Sequence, residues 1–246
     1  MQKTKTLLID VNNYLKRIYH GGGDPYGLFT GLMNKNTTSE VILVCDTFTS
    51  RKHRKDILDT YKAGRPQGDD PIYWELYNNA ITIGRHYPNA SVIKVTHGEA
   101  DDYILLNAKA GDDVISNDKD LWPLIAKDVN ILLNATSKVD RQLIEVKFFY
   151  PDPELIVAYK CLVGDSSDKI IGKFRFGIAA YKKLSKEYLY DFLACLESNK
   201  EHELIDENVK TSYALVKTFQ DITYESMEPL EFSELNKFYT SKGIIC

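Results

Sequence analysis

The chain has 246 residues, 43% of them hydrophobic, and a formal net charge of −4 at pH 7. This length and composition allow a large buried core, which predicts one or two domains that fold unaided. The four cysteines (Cys45, Cys161, Cys195 and Cys246) form no CxxC pair, which argues against a zinc ribbon or disulfide framework and favours a reducing compartment. No secretory leader or membrane-length apolar run is evident, so a cytoplasmic protein without membrane contact is predicted.

Short β-rich runs alternate with helical periodicity through the first 150 residues. The β-rich runs are TKTLLIDV, EVILVCD, SVIKVT, DDVIS and VNILLN, and the helical stretches include PIYWELYNNAITIGRH and DDYILLNAKAG. This alternation predicts a parallel sheet flanked by helices, with ligands bound at the carboxyl ends of the strands. After Pro151-Asp152-Pro153 no further β-rich run is evident, and the remaining chain is predicted to form a smaller helical subdomain.

Nine acidic residues lie near predicted strand ends or in one later loop. Because the carboxyl ends of parallel strands share one edge, Asp10, Asp46 and Asp118 are expected to converge. Carboxylates about 4 Å apart repel by roughly 4 kcal/mol at an effective dielectric of about 20, so the cluster must take up protons or bind a divalent cation. All-oxygen ligands favour magnesium or manganese over zinc. The candidate ligands are Asp10, Asp46, Glu99, Asp101, Asp102, Asp118, Asp120, Asp165 and Asp168.

Each acidic motif also has a purely structural explanation. A helix is predicted to begin near Glu99, which puts Glu99 and Asp102 on one face and Asp101 on a neighbouring one. Acids in a first helical turn are favoured by the helix dipole without any metal. The SNDKDL segment that contains Asp118 and Asp120 is rich in residues that are common in turns. Taken singly, each pair is therefore weak evidence for a metal site.

Two basic segments interrupt the acidic chain. Arg51–Arg65 holds six Lys or Arg against two Asp, and Lys169–Lys186 holds six with no acid. Both are compatible with a phosphate-binding surface despite the negative net charge. The loop GDSSDKIIGKFRFG precedes a predicted helix, and backbone N–H groups at a helix start can bind phosphate.

Six motifs, in order and at compatible spacing from about Leu7 to Lys183, resemble those of the 5′-nuclease family. This family comprises the flap endonucleases and 5′–3′ exonucleases of phages, bacterial DNA polymerase I and eukaryotes. The motifs are LLIDVNNYLKR, VILVCD, DTYKAGRP, GEADD, SNDKDL and GDSSDKIIG. The resemblance implies an α/β metal-binding core of the PIN or 5′-nuclease type over residues 1–150, with a helical arch at about residues 51–90. Residues 151–246 would form a helical DNA-binding subdomain with a helix-hairpin-helix-like element.

The resemblance also implies a function. The chain would be a divalent-metal-dependent 5′-end-directed nuclease, acting as a 5′–3′ exonuclease and flap endonuclease on DNA during replication or repair. Its substrates would be DNA with 5′ ends, flaps or nicks, and RNA–DNA hybrids if it removes primers. A polymerase or single-strand-binding protein is a candidate partner, and a monomer is expected.

Roles of individual residues follow from the same resemblance. Lys62 corresponds to the active-site lysine at the base of the arch. Tyr61 corresponds to the aromatic residue beside it that meets the first bases, with helix packing as the alternative. Lys160 corresponds to a second lysine in phage members, with a solvated cation as the alternative. Two Mg²⁺ ions, replaceable by Mn²⁺, are implied: the acids from Asp10 to Asp120 would hold one, with Asp102 variable in the family, and Asp165 and Asp168 the other.

The chain departs from the family in the turn after the last acidic motif. Most relatives have GVxGIG followed by Lys, whereas here Arg175 replaces the middle glycine and Ala179 the lysine, which puts the K⁺ site of the family in doubt. Basic side chains are expected to grip the DNA instead, with a solvated face as the alternative. The predicted DNA-binding residues are Arg51, Lys52, Arg65, Lys169, Lys173, Arg175, Lys182 and Lys183.

Three other functions compete with this interpretation. A non-catalytic branched-DNA-binding relative would lose the acids, which this chain keeps. A PIN-type ribonuclease shares the early acids but normally lacks the GDSSD subdomain. A small-molecule phosphatase would have little use for the Lys169–Lys186 segment. The arch segment is short and acidic at Asp69, Asp70 and Glu75, which favours exonuclease action or primer removal over flap cutting.

Overall fold

The computed structural model describes residues 5–47, 49–63 and 70–244. The strands in these ranges are β1 (Thr6–Asp10), β2 (Glu40–Asp46), β3 (Ala90–His97), β4 (Asp113–Ile115), β5 (Asn130–Leu133), β6 (Ser137–Lys138) and β7 (Thr223–Met227). The helices are α1 (Val11–His20), α2 (Pro25–Lys35), α3 (Lys52–Ile57), α4 (Pro71–Arg85), α5 (Ala100–Asn107), α6 (Arg141–Phe148), α7 (Leu155–Leu162), α8 (Ile178–Tyr181), α9 (Lys186–Glu197), α10 (Glu207–Val216) and α11 (Leu235–Lys242). Two 3₁₀ helices span Lys119–Lys127 and Phe232–Glu234.

The described strands form one sheet in the order β6-β5-β4-β1-β2-β3-β7. Neighbours from β5 to β3 pair in parallel, whereas the edge strands β6 and β7 are antiparallel. This confirms the predicted parallel sheet flanked by helices. Alternate residues of β1 enter different cores: Leu7 and Ile9 pack on one face and Leu8 on the other. Burial on both faces explains why the central strands are apolar throughout.

The carboxyl ends of the central strands meet at one edge of the sheet. Asp10 pairs in register with Val44, two residues before Asp46, and Ile115 of β4 pairs with Ile9. The acids that follow these strands are therefore brought to one place by strand pairing alone, as the alternation of elements predicted.

A helical unit follows the first part of the sheet. Helices α7, α9 and α10 enclose a separate apolar core, with Leu162, Tyr181 and Phe192 fully buried. This confirms a helical segment after residue 151. The described helices include none long and apolar enough to cross a membrane.

The expectation that no strand follows residue 151 is wrong. Strand β7 pairs antiparallel with β3, Val92 opposite Met227, and Leu235 and Tyr239 of α11 pack into the core beside β1. Four of the five residues of β7, whose sequence is TYESM, are exposed, so this strand has no apolar face. Edge strands of this kind give no hydrophobic signal. The division into domains at residue 150 stays a prediction, and so does the arch, since Arg65 and Asp69 lie outside the described residues.

Candidate metal centre and active site

Two acids are fixed at the ends of adjacent strands. Asp10 caps α1: its Oδ1 accepts a hydrogen bond from the backbone N of Asn13 (3.0 Å), and its Oδ2 accepts one from Ser116 Oγ (3.2 Å). Asp46 ends β2, and its Oδ1 accepts from the backbone N of Ala100 at the start of α5 (2.8 Å). These bonds leave the remaining lone pairs directed at a shared cavity of about 90 Å³. Its acidic lining residues are Asp10, Asp46, Glu99, Asp101 and Asp118.

Three carboxylates come within reach of a single ion. One oxygen from each of Asp101, Asp118 and Asp120 lies within 4.8 Å of the other two. Asp118 also begins the first 3₁₀ helix, where its side chain accepts from the backbone N of Asp120 (3.0 Å). Two oxygens that bind one magnesium ion at about 2.0–2.1 Å lie at most about 4.2 Å apart, so small side-chain movements would bring these three within binding distance of a divalent cation.

The cavity has too little positive charge for its acids. Burial, and then repulsion from Asp46, raises the pKa of Asp10 to about 7. Burial and the neighbouring Asp120 raise the pKa of Asp118 to about 6. Burial likewise holds the pKa of Asp101 well above its usual range. A bound cation reverses such shifts because it stabilises the ionised carboxylates. The oxygen ligands and the uncompensated charge both fit a divalent metal.

Glu99 lines the same cavity but is already paired. Its Oε1 accepts from Lys62 Nζ (2.7 Å), and its Oε2 accepts from Arg54 Nη1 (2.5 Å) and the Tyr61 hydroxyl (3.0 Å). Burial alone would raise the pKa of Glu99, yet Lys62 and Arg54 hold it below its usual range. Asp102, fully buried, lies outside the cavity lining and forms two hydrogen bonds with the Arg54 guanidinium. The structure therefore separates Glu99 and Asp102 from the cation-poor acids.

Lys62 points into the cavity from the base of α3. Its backbone N donates to the Asp168 carbonyl (3.0 Å), and its φ of 53° lies in the left-handed region. Burial lowers the pKa of Lys62, but Glu99 and the other acids around it together outweigh burial and raise the pKa well above its usual value, so the ammonium stays charged. Tyr61 is only 2% exposed and packs against Ile170 and Leu215. This placement favours the packing alternative for Tyr61 over base stacking.

Lys160 lies between the two acidic groups. It is 4% exposed, and its Nζ contacts a carboxylate oxygen of Asp120 and Asp165 Oδ2 (2.9 Å). The solvated-cation alternative does not describe a lysine buried to this extent. Burial lowers its pKa, but the two carboxylates outweigh burial and raise it above the usual value.

The last acidic motif has a different environment from the first. Asp165 Oδ1 accepts from the backbone N (2.9 Å) and hydroxyl (2.6 Å) of Ser167. Burial would raise its pKa, but Lys160 lowers it to about 2. Asp168 is buried beside it, and neither acid belongs to the carboxylate triplet found among the described residues. A second metal held by Asp165 and Asp168 stays a prediction.

The predicted DNA-binding residues fall into two groups. Some have carboxylate partners: Arg51 contacts Glu99 (3.2 Å) on the cavity wall, Lys52 pairs with Asp56 (2.7 Å) and Lys173 with Asp206 (3.1 Å). Lys169, Lys182 and Lys183 are exposed on the helical unit, where Lys182 lies over the Phe149 ring (4.1 Å). Arg65 lies outside the described residues. DNA contact by any of these residues stays a prediction.

Arg175 adopts a backbone conformation that favours glycine. Its φ of 55° is left-handed, which costs a residue with a Cβ about 1–2 kcal/mol. The guanidinium lies 5.1 Å from the centre of the Phe174 ring, which is itself exposed. The chain therefore places an arginine where the local backbone favours a glycine.

Two cations near the acids are not among the site residues predicted from the sequence. Lys16 lines the cavity, and its position in the motif LLIDVNNYLKR was the feature of the sequence that could have indicated a role in the site. Arg54 is buried against Glu99 and Asp102, but its position in a run of five basic or histidine residues suggested a solvent-facing cation. Only the folded chain brings it to the acids of GEADD.

Comparison with known proteins agrees with the fold. Residues 5–149 match the family model described as 5′–3′ exonuclease, N-terminal resolvase-like domain. A 5′–3′ exonuclease of Mycoplasmopsis pulmonis is 30% identical over 213 residues, covering 77% of this chain and 70% of the relative. One of Buchnera aphidicola is 26% identical over 212 residues, covering 76% and 71%.

Solved structures show the same architecture. The D15 flap endonuclease of bacteriophage T5, crystallised as a pseudo-enzyme-product complex with DNA and metal ions, superposes with a TM-score of 0.61 at 16% identity. The superposition covers 98% of this chain and 94% of that one. The family model spans more than half of the chain, and the chain therefore belongs to the 5′–3′ exonuclease family.

Proposed function

We propose that this chain is a divalent-metal-dependent nuclease that hydrolyses DNA phosphodiesters from 5′ ends, as a 5′–3′ exonuclease and flap endonuclease in replication or repair. The observation that carries the proposal is the convergence of carboxylates at one cavity, together with oxygens of Asp101, Asp118 and Asp120 that lie within 4.8 Å of one another. Relatives named 5′–3′ exonucleases support the reaction, and a flap endonuclease of the same fold supports the substrate.

Magnesium is the proposed metal, with two ions bound and manganese as a working substitute. Asp10, Asp46, Asp101, Asp118 and Asp120 would hold the first ion, directly or through water, and Asp165 and Asp168 the second. The chemistry supplied at such a site would be a hydroxide nucleophile formed from water near pH 7 and positive charge to offset that on the attacking and leaving oxygens. The Glu99 carboxylate, already paired with Lys62 and Arg54, positions Lys62 rather than holding the metal.

Lys62 contributes a fixed positive charge to the reaction. Its ammonium is buried, hydrogen bonded to Glu99 and charged across the working pH range. A phosphate oxygen entering the cavity would meet this preorganised cation at once, and such groups stabilise charge that develops in a transition state. Lys160 supplies a second cation, in contact with both Asp120 and Asp165.

The exposed cations of the helical unit are proposed to bind the DNA backbone. Lys169, Arg175 and Lys183 are all exposed, and the Lys169–Lys186 segment contains no acid. Contacts of this kind fix the position of the DNA backbone and do not depend on the base sequence. We also propose action on RNA–DNA hybrids, as a monomer, in the cytoplasm of a bacterial or phage-infected cell with a polymerase or single-strand-binding protein nearby. The similarity to bacterial DNA polymerase I supports this setting.

The test is cleavage by the purified full chain. Nicked, 5′-flapped and RNA-primed duplexes, each labelled at the 5′ end, are incubated with Mg²⁺ and the products sized on a sequencing gel. We expect short 5′ products that vanish with EDTA and return with excess Mg²⁺ or Mn²⁺. Absence of metal-dependent cleavage on all three substrates would refute the proposal, and a 3′-labelled duplex controls for the direction of attack.

A further inference from the structure

Arg54 contacts three acids beside the cavity, namely Glu99, Asp101 and Asp102. Its Nη1 donates to Glu99 Oε2 (2.5 Å) and Asp102 Oδ2 (2.9 Å), and its Nη2 donates to Asp102 Oδ1 (2.7 Å). The side chain is 4% exposed. One planar guanidinium thus grips Asp102 with two parallel bonds and Glu99 with a third, and planar bidentate geometry of this kind is specific to arginine.

The same side chain ties the site to a distant helix. Arg54 Nε donates to the carbonyl of Leu215 in the last turn of α10 (2.9 Å). Asp102 Oδ1 also accepts from the backbone N of Phe219, just beyond that helix (2.8 Å). Helix α3, the first turn of α5 and the end of α10 therefore meet at one guanidinium–carboxylate pair.

The orientation of Asp101 depends on this pair. Asp102 accepts from the backbone N of Glu99 (2.9 Å), which closes a capping box over the first turn of α5, and its own backbone N donates to Asp101 Oδ1 (2.8 Å). Asp101 lies between the two clamped acids and faces the cavity. If Glu99 or Asp102 changed rotamer, the turn that aims Asp101 would change with it.

We propose that Arg54 is a positioning residue for the metal-dependent reaction: it clamps Glu99 and Asp102 so that Asp101 faces the metal and Lys62 stays bound to Glu99. The proposal rests on the proposed function. Lysine at this position would keep the charge but offer no planar fork, so it could not hold both acids and the Leu215 carbonyl together.

The test substitutes Arg54→Lys in the full chain. We expect kcat on a nicked or flapped duplex to fall about 10–100-fold, the range for groups that orient metal ligands, with KM for DNA changed by no more than about twofold. Binding of Mn²⁺ to the DNA-free protein, followed by the electron paramagnetic resonance of the unbound ion, should weaken several-fold. This readout needs no catalysis, so it separates failure of this inference from failure of the proposed nuclease function.

Arg85→Lys is the matched control. Arg85 Nε also donates to a backbone carbonyl, that of Glu228 (2.7 Å), and it lies at the end of α4, outside the cavity lining. This variant loses the same kind of bond at a purely structural position. It should keep the kcat and Mn²⁺ affinity of the unmodified protein, and a fall equal to that of Arg54→Lys would overturn the positioning role.

Asp102→Asn provides a second route if Arg54→Lys does not fold. It removes charge from the clamp but keeps the size of the side chain, so kcat and Mn²⁺ affinity should fall as for Arg54→Lys. Because both changes break one pair, the double variant should be little worse than either alone. Unchanged kcat and Mn²⁺ affinity in a folded Arg54→Lys or Asp102→Asn protein, or fully additive losses in the double variant, would refute the inference.

Discussion

The two acidic groups of this protein share a lysine but differ in charge balance. In the group at the sheet edge, burial and mutual repulsion raise the pKa of Asp10 to about 7 and that of Asp118 to about 6. In the loop after α7, Lys160 lowers the pKa of Asp165 to about 2. Both groups look alike as sequence, yet the pKa values of Asp10 and Asp118 are raised whereas that of Asp165 is lowered. Whether a group of acids favours metal binding therefore depends on the cations that pack against it and not on the number of acids alone.

The largest expected effect separates the two groups directly. Asp118→Asn removes a carboxylate from the triplet with Asp101 and Asp120, so we expect cleavage to fall by orders of magnitude and Mn²⁺ binding at the first site to weaken. Asp165→Asn should leave that binding intact, because Lys160 already neutralises Asp165. Metal binding is measured on the DNA-free protein and cleavage on a nicked duplex.

Asp113→Asn is the control for Asp118→Asn. Asp113 lies at the opposite end of β4, paired with Lys5 (2.7 Å), and should tolerate the change without loss of cleavage. Equal loss of Mn²⁺ affinity in Asp118→Asn and Asp165→Asn would contradict the proposed difference between the two acidic groups.

A smaller effect is expected when Lys160 is replaced by methionine. Methionine leaves Asp120 and Asp165 without their shared cation, so Mn²⁺ affinity should rise while cleavage falls by about 10²-fold. Calorimetric Mn²⁺ titration and single-turnover cleavage measure the two quantities. The exposed Lys147 on α6 provides a Lys→Met control. If Mn²⁺ affinity stayed the same or fell, Lys160 would not be the charge that distinguishes the groups.

The smallest effect concerns stability and pH without metal. The pKa of Asp10 is raised in the folded protein to about 7, so the folded state favours the protonated carboxyl. The resulting contribution to the free energy of unfolding is complete below about pH 4 and is lost as the pH rises through 7. Asp10→Asn removes the titration but keeps an N-cap residue. In EDTA, urea denaturation from pH 5 to 8 should show the unmodified protein losing stability relative to the variant, by on the order of 2–4 kcal/mol.

Added Mg²⁺ should abolish most of the difference between the two proteins in how stability changes with pH, since a bound cation favours ionised Asp10. Parallel pH profiles of the two proteins in EDTA would show that the group at the sheet edge is not short of positive charge.

The sheet and the acids at its edge could be predicted because they depend on strand order. Asp10 and Asp46 end apolar runs, and parallel pairing brings such ends together whatever the loops do. The partners of the acids could not be predicted in the same way. Arg54 and Lys160 look like surface cations in sequence, and their burial depends on how α3 and α7 pack against the core. Strand β7 was missed because an exposed edge strand carries no apolar alternation.

The return of the chain to the sheet limits how the protein can be divided. Residues 155–216 leave the sheet as helices, but β7 comes back to cover the outer edge of β3, and α11 packs beside β1. Shortened versions ending near residue 216 would uncover a row of unpaired backbone groups on β3, a template for aggregation. Module exchange between nucleases of this kind should therefore move the helices as an internal insertion and keep the final strand with its host.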